Sequence, residues 1–85
     1  MPAETRQLTA FEARILDVVD AIGDPLSSHI CHRLSLPMEV VRVPLQKLVN
    51  DGLLRMKEDP YDHDWAYVLT RAGQQARAAF ALAGQ

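Results

Sequence analysis

Only one of the 85 residues is cysteine and 6% are aromatic. The lone thiol, Cys31, has no internal disulfide partner, so the fold must rest on its apolar core. No N-terminal run joins a basic start, an apolar stretch and a small-residue cleavage site, and no apolar run approaches the ~20 residues that span a bilayer. These absences predict a soluble, cytoplasmic protein in a reducing setting, with no membrane partner.

A basic excess is also missing, since nine Lys and Arg face eleven Asp and Glu for a net charge of −2. Bulk composition therefore does not announce a nucleic-acid binder. Its distribution says more: residues 1–25 sum to −3, residues 26–54 to +1, residues 55–64 to −2 and residues 65–85 to +2. Catalytic and metal patterns are missing as well. There is no Ser-His-Asp arrangement, phosphate-cradling glycine loop or carboxylate pair in an apolar setting, so no enzyme is expected. His29 and His32 lie one helical turn apart with Cys31 pointing elsewhere, and His63 sits between Asp62 and Asp64, but no CxxC or HExxH supports them. No metal or cofactor is expected.

The apolar content is 48%, which suits one compact domain, residues 1–85, near the small limit for a self-sufficient core. Thr9-Ala10-Phe11-Glu12 has the form of a capping box opening a helix over 9–22. Phe11, Ile15, Val18 and Ile22, widened by Leu16 and Val19, give it one apolar stripe, and Gly23-Asp24-Pro25 stops it. Ser27 or Ser28 is expected to cap a helix over 27–34, with Ile30 and Leu34 on one face. After Ser35-Leu36, Pro37 suits the first position of a third helix, 37–50, with Val41, Leu45 and Leu48 inward and Asp51-Gly52 at its end.

Leu53 to Lys57 and Trp65 to Leu69 suit two strands of a hairpin, 53–69, whose connection KEDPYDHD holds Pro60 and four carboxylates. Thr70 caps a last helix, 71–83, with a thin apolar face of Ala72, Ala76, Ala79, Phe80 and Ala83. The fold class is mainly α with a two-stranded β-hairpin (α+β), a winged helix-turn-helix.

The spacing Ile30, Leu34, Leu36, Val41, Leu45, Leu48, Gly52-Leu53 resembles the core register of bacterial winged-helix regulators. Val68-Leu69-Thr70 followed by Gly73 is similar to the strand-to-helix junction of the MarR and PadR groups. The resemblance covers about residues 8–83 and reports core packing rather than site chemistry. It implies a transcriptional regulator whose third helix enters the major groove of double-stranded DNA. Carried onto this chain, Met38, Glu39, Arg42, Val43, Gln46 and Lys47 are the outward positions, and Cys31 falls on a small core position, which implies a buried, inert thiol. Arg42 suits a guanine edge, Gln46 an adenine edge and Lys47 a phosphate. Ser27, Ser28, His29 and Arg33 fall toward phosphates, and Arg55, Lys57 or Arg71 at the hairpin base.

The sequence departs from the pattern at Val43, where relatives place polar or basic residues, and at Glu39. Pro44 inside the third helix deletes a hydrogen bond to the Val40 carbonyl, which implies a kink or a late start. The hairpin tip, Asp59, Pro60, Tyr61, Asp62, His63 and Asp64, has the wrong charge for phosphate. A second reading therefore stays open: a protein-interaction module, such as a phage or mobile-element inhibitor or an assembly subunit. It would use Met38, Val43, Pro44, Asp59, Tyr61, Asp62, Asp64 and Trp65 against a partner with a basic surface. The resemblance is not expected to extend to the long flanking helices that build MarR dimers, so Ala76, Phe80 and Leu82 are the candidates for a homodimer.

Overall fold

The structure, a computed structural model, describes residues 7–58, 61 and 65–83. Its elements are α1 (Ala10–Ile22), α2 (Ser27–Leu34), α3 (Met38–Asn50), β1 (Leu54–Glu58), β2 (Trp65–Leu69) and α4 (Arg71–Ala83). This order is a winged helix-turn-helix, with α2 and α3 joined by the short turn 35–37. The acidic residues Asp59, Asp62 and Asp64, with Pro60 and His63, lie outside the described residues.

α1 begins as its sequence dictates. The Thr9 hydroxyl accepts from the Glu12 N–H at 3.1 Å and the Glu12 carboxylate accepts from the Thr9 N–H at 3.0 Å, so two otherwise orphaned donors are satisfied. Ile15, Leu16 and Val19 are buried, with Phe11 and Val18 packed at their edge. Ile22, expected in the stripe, is exposed, because the chain turns away at Gly23 (φ 82°) immediately after it.

α2 is capped differently from expectation. Its N-cap is Leu26, so Ser27 is already helical and neither serine caps the helix. Instead, the His29 Nδ1 accepts from the Leu26 N–H at 3.3 Å. Leu26 cannot move freely into a helical conformation because it forms an isolated bridge with Ala66, while the Tyr67 N–H donates to the Pro25 carbonyl at 2.9 Å. β2 is thus flanked on both sides, by β1 and by residues 25–26. Ser35, left-handed at φ 57°, ends α2, and the Leu36 N–H returns to the Cys31 carbonyl at 3.1 Å.

Pro37 serves as N-cap of α3 rather than its first helical residue. The helix neither starts late nor breaks: it is continuous from Met38 to Asn50 through Pro44. A mid-helix proline costs about 3 kcal/mol. Burial of Val41, Leu45 and Leu48 contributes about 2 kcal/mol each and outweighs it. Val40 is exposed, so the carbonyl that Pro44 leaves without a helical donor is on a residue that water reaches. At the other end, Gly52 (φ 79°) lets the Leu53 N–H bond the Leu48 carbonyl at 2.9 Å and its own N–H bond Val49 at 3.0 Å. That pair is a Schellman motif, and its two apolar residues, Leu48 and Leu53, both enter the core.

The hairpin pairs antiparallel in the register Leu54↔Leu69, Met56↔Tyr67 and Glu58↔Trp65. Leu54, Ala66 and Tyr67 are buried. Thr70 joins the hairpin to α4: its hydroxyl donates to the Gly52 carbonyl at 2.7 Å and accepts from the Gly73 N–H at 3.0 Å. On α4 the inward residues are Ala72, Gly73, Ala76 and Phe80; Ala79 and Ala83, expected beside them, face out. Arg77 ties α4 to α1 through Asp17 at 2.8 Å and Asp20 at 3.1 Å.

Gly73 is needed for room. A Cβ placed there would overlap the Leu53 carbonyl oxygen and lie 2.7 Å from Leu69 Cδ1. Since one obstacle is backbone, Gly73→Ala is expected to destabilise the fold by about 1–3 kcal/mol, read as a drop of about 4–8 °C in Tm per kcal/mol.

Candidate nucleic-acid interface

α3 divides cleanly between two environments. Its buried positions, Val41, Leu45 and Leu48, follow the three-to-four residue spacing of one helical face. The same period brings Glu39, Arg42, Val43, Gln46, Lys47 and Asn50 to the opposite side, where all are exposed. Arg42, Val43, Gln46, Lys47 and Asn50 line one shallow surface depression. Among the described residues, no carboxylate pairs with Arg42 or Lys47.

The Gln46 Nε2 donates to the Asn50 Oδ1 at 3.1 Å, so the two amides orient each other. Asn50 shares this exposed face but is not in the outward set that the sequence suggests. Its place four residues after Gln46 on the same face is the signal that finds it.

α2 supplies the neighbouring groups. Ser28, His29 and Arg33 are exposed and Ser27 is half-buried. Because the His29 Nδ1 is engaged by Leu26, Nε2 is the ring nitrogen available to an outside partner. Ser27, Ser28, Cys31, Leu36, Pro37 and Met38 line a groove where α2 meets the turn. Cys31 is only half-buried, not enclosed as expected, and its Sγ lies 3.6 Å from the Met38 Sδ. The reason is that Cys31 sits next to Ile30, whose side chain takes the core direction.

The hairpin base contributes less charge than its sequence suggests. Arg55 is exposed, but Lys57 pairs with Asp24 at 3.3 Å across the Leu26–Ala66 bridge region. Arg71 is exposed at the start of α4.

The residues assigned to a protein partner are scattered. Met38 and Val43 are both exposed on α3, but five residues apart they point about 140° from each other at 100° per residue. Pro44 is half-buried. Tyr61 and Trp65 are exposed on the hairpin. Of the residues expected to meet a second copy, Ala76 is 1% exposed and belongs to this chain's own core, against which Phe80 also packs; Leu82 is 71% exposed. Among the described residues, no group of three or more metal-ligating side chains forms, and no helix is long and apolar enough to cross a membrane.

Comparison with solved structures gives the fold a name. The chain has the MarR-type winged helix-turn-helix fold. It is similar to the PcaV transcriptional regulator from Streptomyces coelicolor, with TM-score 0.84 at 19% identity over 91% of this chain and 55% of that one. Escherichia coli MarR in its reduced form gives TM-score 0.82 at 21% identity over 92% of this chain and 59% of that one. Staphylococcus aureus MepR, in a complex with DNA, gives 0.79 at 20% identity over 89% and 56%. The chain thus spans little more than half the length of these proteins. No protein-family model matches the sequence, and no curated protein sequence matches it.

The histidine cap can be tested directly. His29→Ala should lower stability by about 1 kcal/mol, whereas Ser28→Ala, which removes no cap, should stay within about 0.5 kcal/mol. Thermal unfolding of the two variants distinguishes the real cap from the one the sequence suggests.

Proposed function

We propose that this chain binds double-stranded DNA sequence-specifically, as a transcriptional regulator that lays α3 in the major groove. The observation that carries this reading is the outer face of α3, where Arg42, Gln46, Lys47 and Asn50 stand exposed together on a helix whose inner face is locked into the core. Arg42 has the fork geometry to pair with guanine O6 and N7, and the Gln46 and Asn50 amides match adenine N6 and N7. Lys47 is a point charge for phosphate, and the exposed Ser28, His29 and Arg33 on α2 are its proposed counterparts on the neighbouring backbone. Arg55 and Arg71 extend the positive side at the hairpin base.

The acidic residues Asp59, Asp62 and Asp64 argue that the hairpin tip stays away from phosphate, which leaves affinity to α2 and α3. One helix of this kind spans few base pairs, so two copies on half-sites about one helical turn apart fit the reading. Exposed Leu82 on α4 is the remaining candidate for the contact between copies. The fold similarity to MepR, which has been crystallised with DNA, supports the same direction.

Selection of bound sequences from random duplexes should return a preferred site. Arg42→Ala is expected to weaken binding to it by about 1–3 kcal/mol and relax preference at one position. Lys47→Ala should weaken binding to all sequences alike and reduce the slope of log affinity against log salt by about 1. Absence of duplex affinity at low salt, with the protein folded, would end this reading.

A further inference from the structure

Val43 is the most exposed of the large apolar residues of α3 and takes no part in the core. Val43 is 71% exposed and lies in the middle of the depression lined by Arg42, Gln46, Lys47 and Asn50. Nothing in the helix calls for it there. A β-branched residue is a modest helix former, and in the position before a proline its backbone is pushed away from helical values.

The geometry points to Val43 as a base-specificity residue that recognises the C5 methyl group of thymine. The inference rests on the DNA-binding reading above and deepens it. Thymine is the one DNA base presenting a methyl group in the major groove, and an apolar side chain is its natural contact. A β-branched side chain in a helix holds essentially one χ1 rotamer, so its two methyl groups are presented in a fixed direction without further ordering.

Position along the helix sets where that thymine lies. Val43 rises about 1.5 Å beyond Arg42 and is turned about 100° from it around the helix, so the two side chains start about 5 Å apart, against ~3.4 Å between successive bases. The thymine therefore falls beside the guanine that Arg42 reads, within about two base-pair steps on either strand. Gln46 and Asn50 lie about one and two helical turns further on and address the bases beyond it. Lys47, four residues after Val43, takes the phosphate beside this step.

The test uses the full chain and the duplex selected by it. Each thymine of that duplex is replaced in turn by deoxyuridine, which removes the methyl group and leaves every hydrogen-bonding atom. One replacement, within about two steps of the position whose preference Arg42→Ala relaxes, should weaken binding about fourfold. The Val43→Ser variant should bind the thymine and deoxyuridine duplexes equally, while thermal unfolding shows it folded.

If no replacement changes wild-type affinity, or if Val43→Ser keeps the full methyl preference, the assignment to Val43 is overturned while Arg42-dependent binding still supports the broader reading. If the folded protein has no affinity for any duplex, both fall together.

Discussion

The Leu53 carbonyl is where the parts of this molecule meet. Its own residue closes α3, since the Leu53 N–H reaches back to Leu48, and its oxygen accepts the Thr70 N–H at 3.3 Å from the strand leaving the hairpin. The same oxygen lies against Gly73 so closely that no side chain fits between them. A carbonyl buried at such a junction must be satisfied, because an unpaired one costs about as much as a lost hydrogen bond. Thr70 adds a second tie by bridging Gly52 to the Gly73 N–H. The end of α3, the return of the hairpin and the start of α4 are therefore fixed in one place, and α3 cannot shift without disturbing all of them.

That fixation explains how α3 tolerates a proline. The three buried side chains Val41, Leu45 and Leu48 contribute more than Pro44 removes, and both helix ends are held by other residues. With the inner face committed to the core, the outer face is free of structural duty. Its mixture of a carboxylate, a guanidinium, an apolar branch, an ammonium and two amides has no packing explanation. Under the DNA-binding proposal, that variety suits base edges, whereas a face meeting phosphate alone would be uniformly basic.

Electrostatics sharpens the same division. In a chain of net charge −2, two basic residues among the described ones are held by carboxylates: Lys57 by Asp24, and Arg77 by Asp17 and Asp20. These exposed or half-exposed pairs add little stability, at about 0–1 kcal/mol each. Their larger effect is on distribution, since they offset the charges of Lys57 and Arg77, while Arg42 and Lys47 on α3, with Arg33, Arg55 and Arg71 on neighbouring elements, have no carboxylate partner among the described residues.

The sequence by itself determined the elements and most of the core. Periodicity at Ile15, Leu16 and Val19, at Ile30 and Leu34, and at Val41, Leu45 and Leu48 is a local property of a helix that must bury one side. The Thr9–Glu12 box, the Gly52 stop and the Thr70 cap are likewise read within a few residues, and the outward set Arg42, Gln46 and Lys47 follows from the same period. Tertiary structure decided what depends on distant partners. Leu26, not a serine, became the N-cap of α2 because its backbone is held by Ala66, forty residues away along the chain. His29 took up the cap in consequence, Lys57 was claimed by Asp24, and Ala76 was drawn into the core by the close approach that Gly73 permits. A spacing rule cannot see such pairings, because they are made between segments that meet only after the chain has folded.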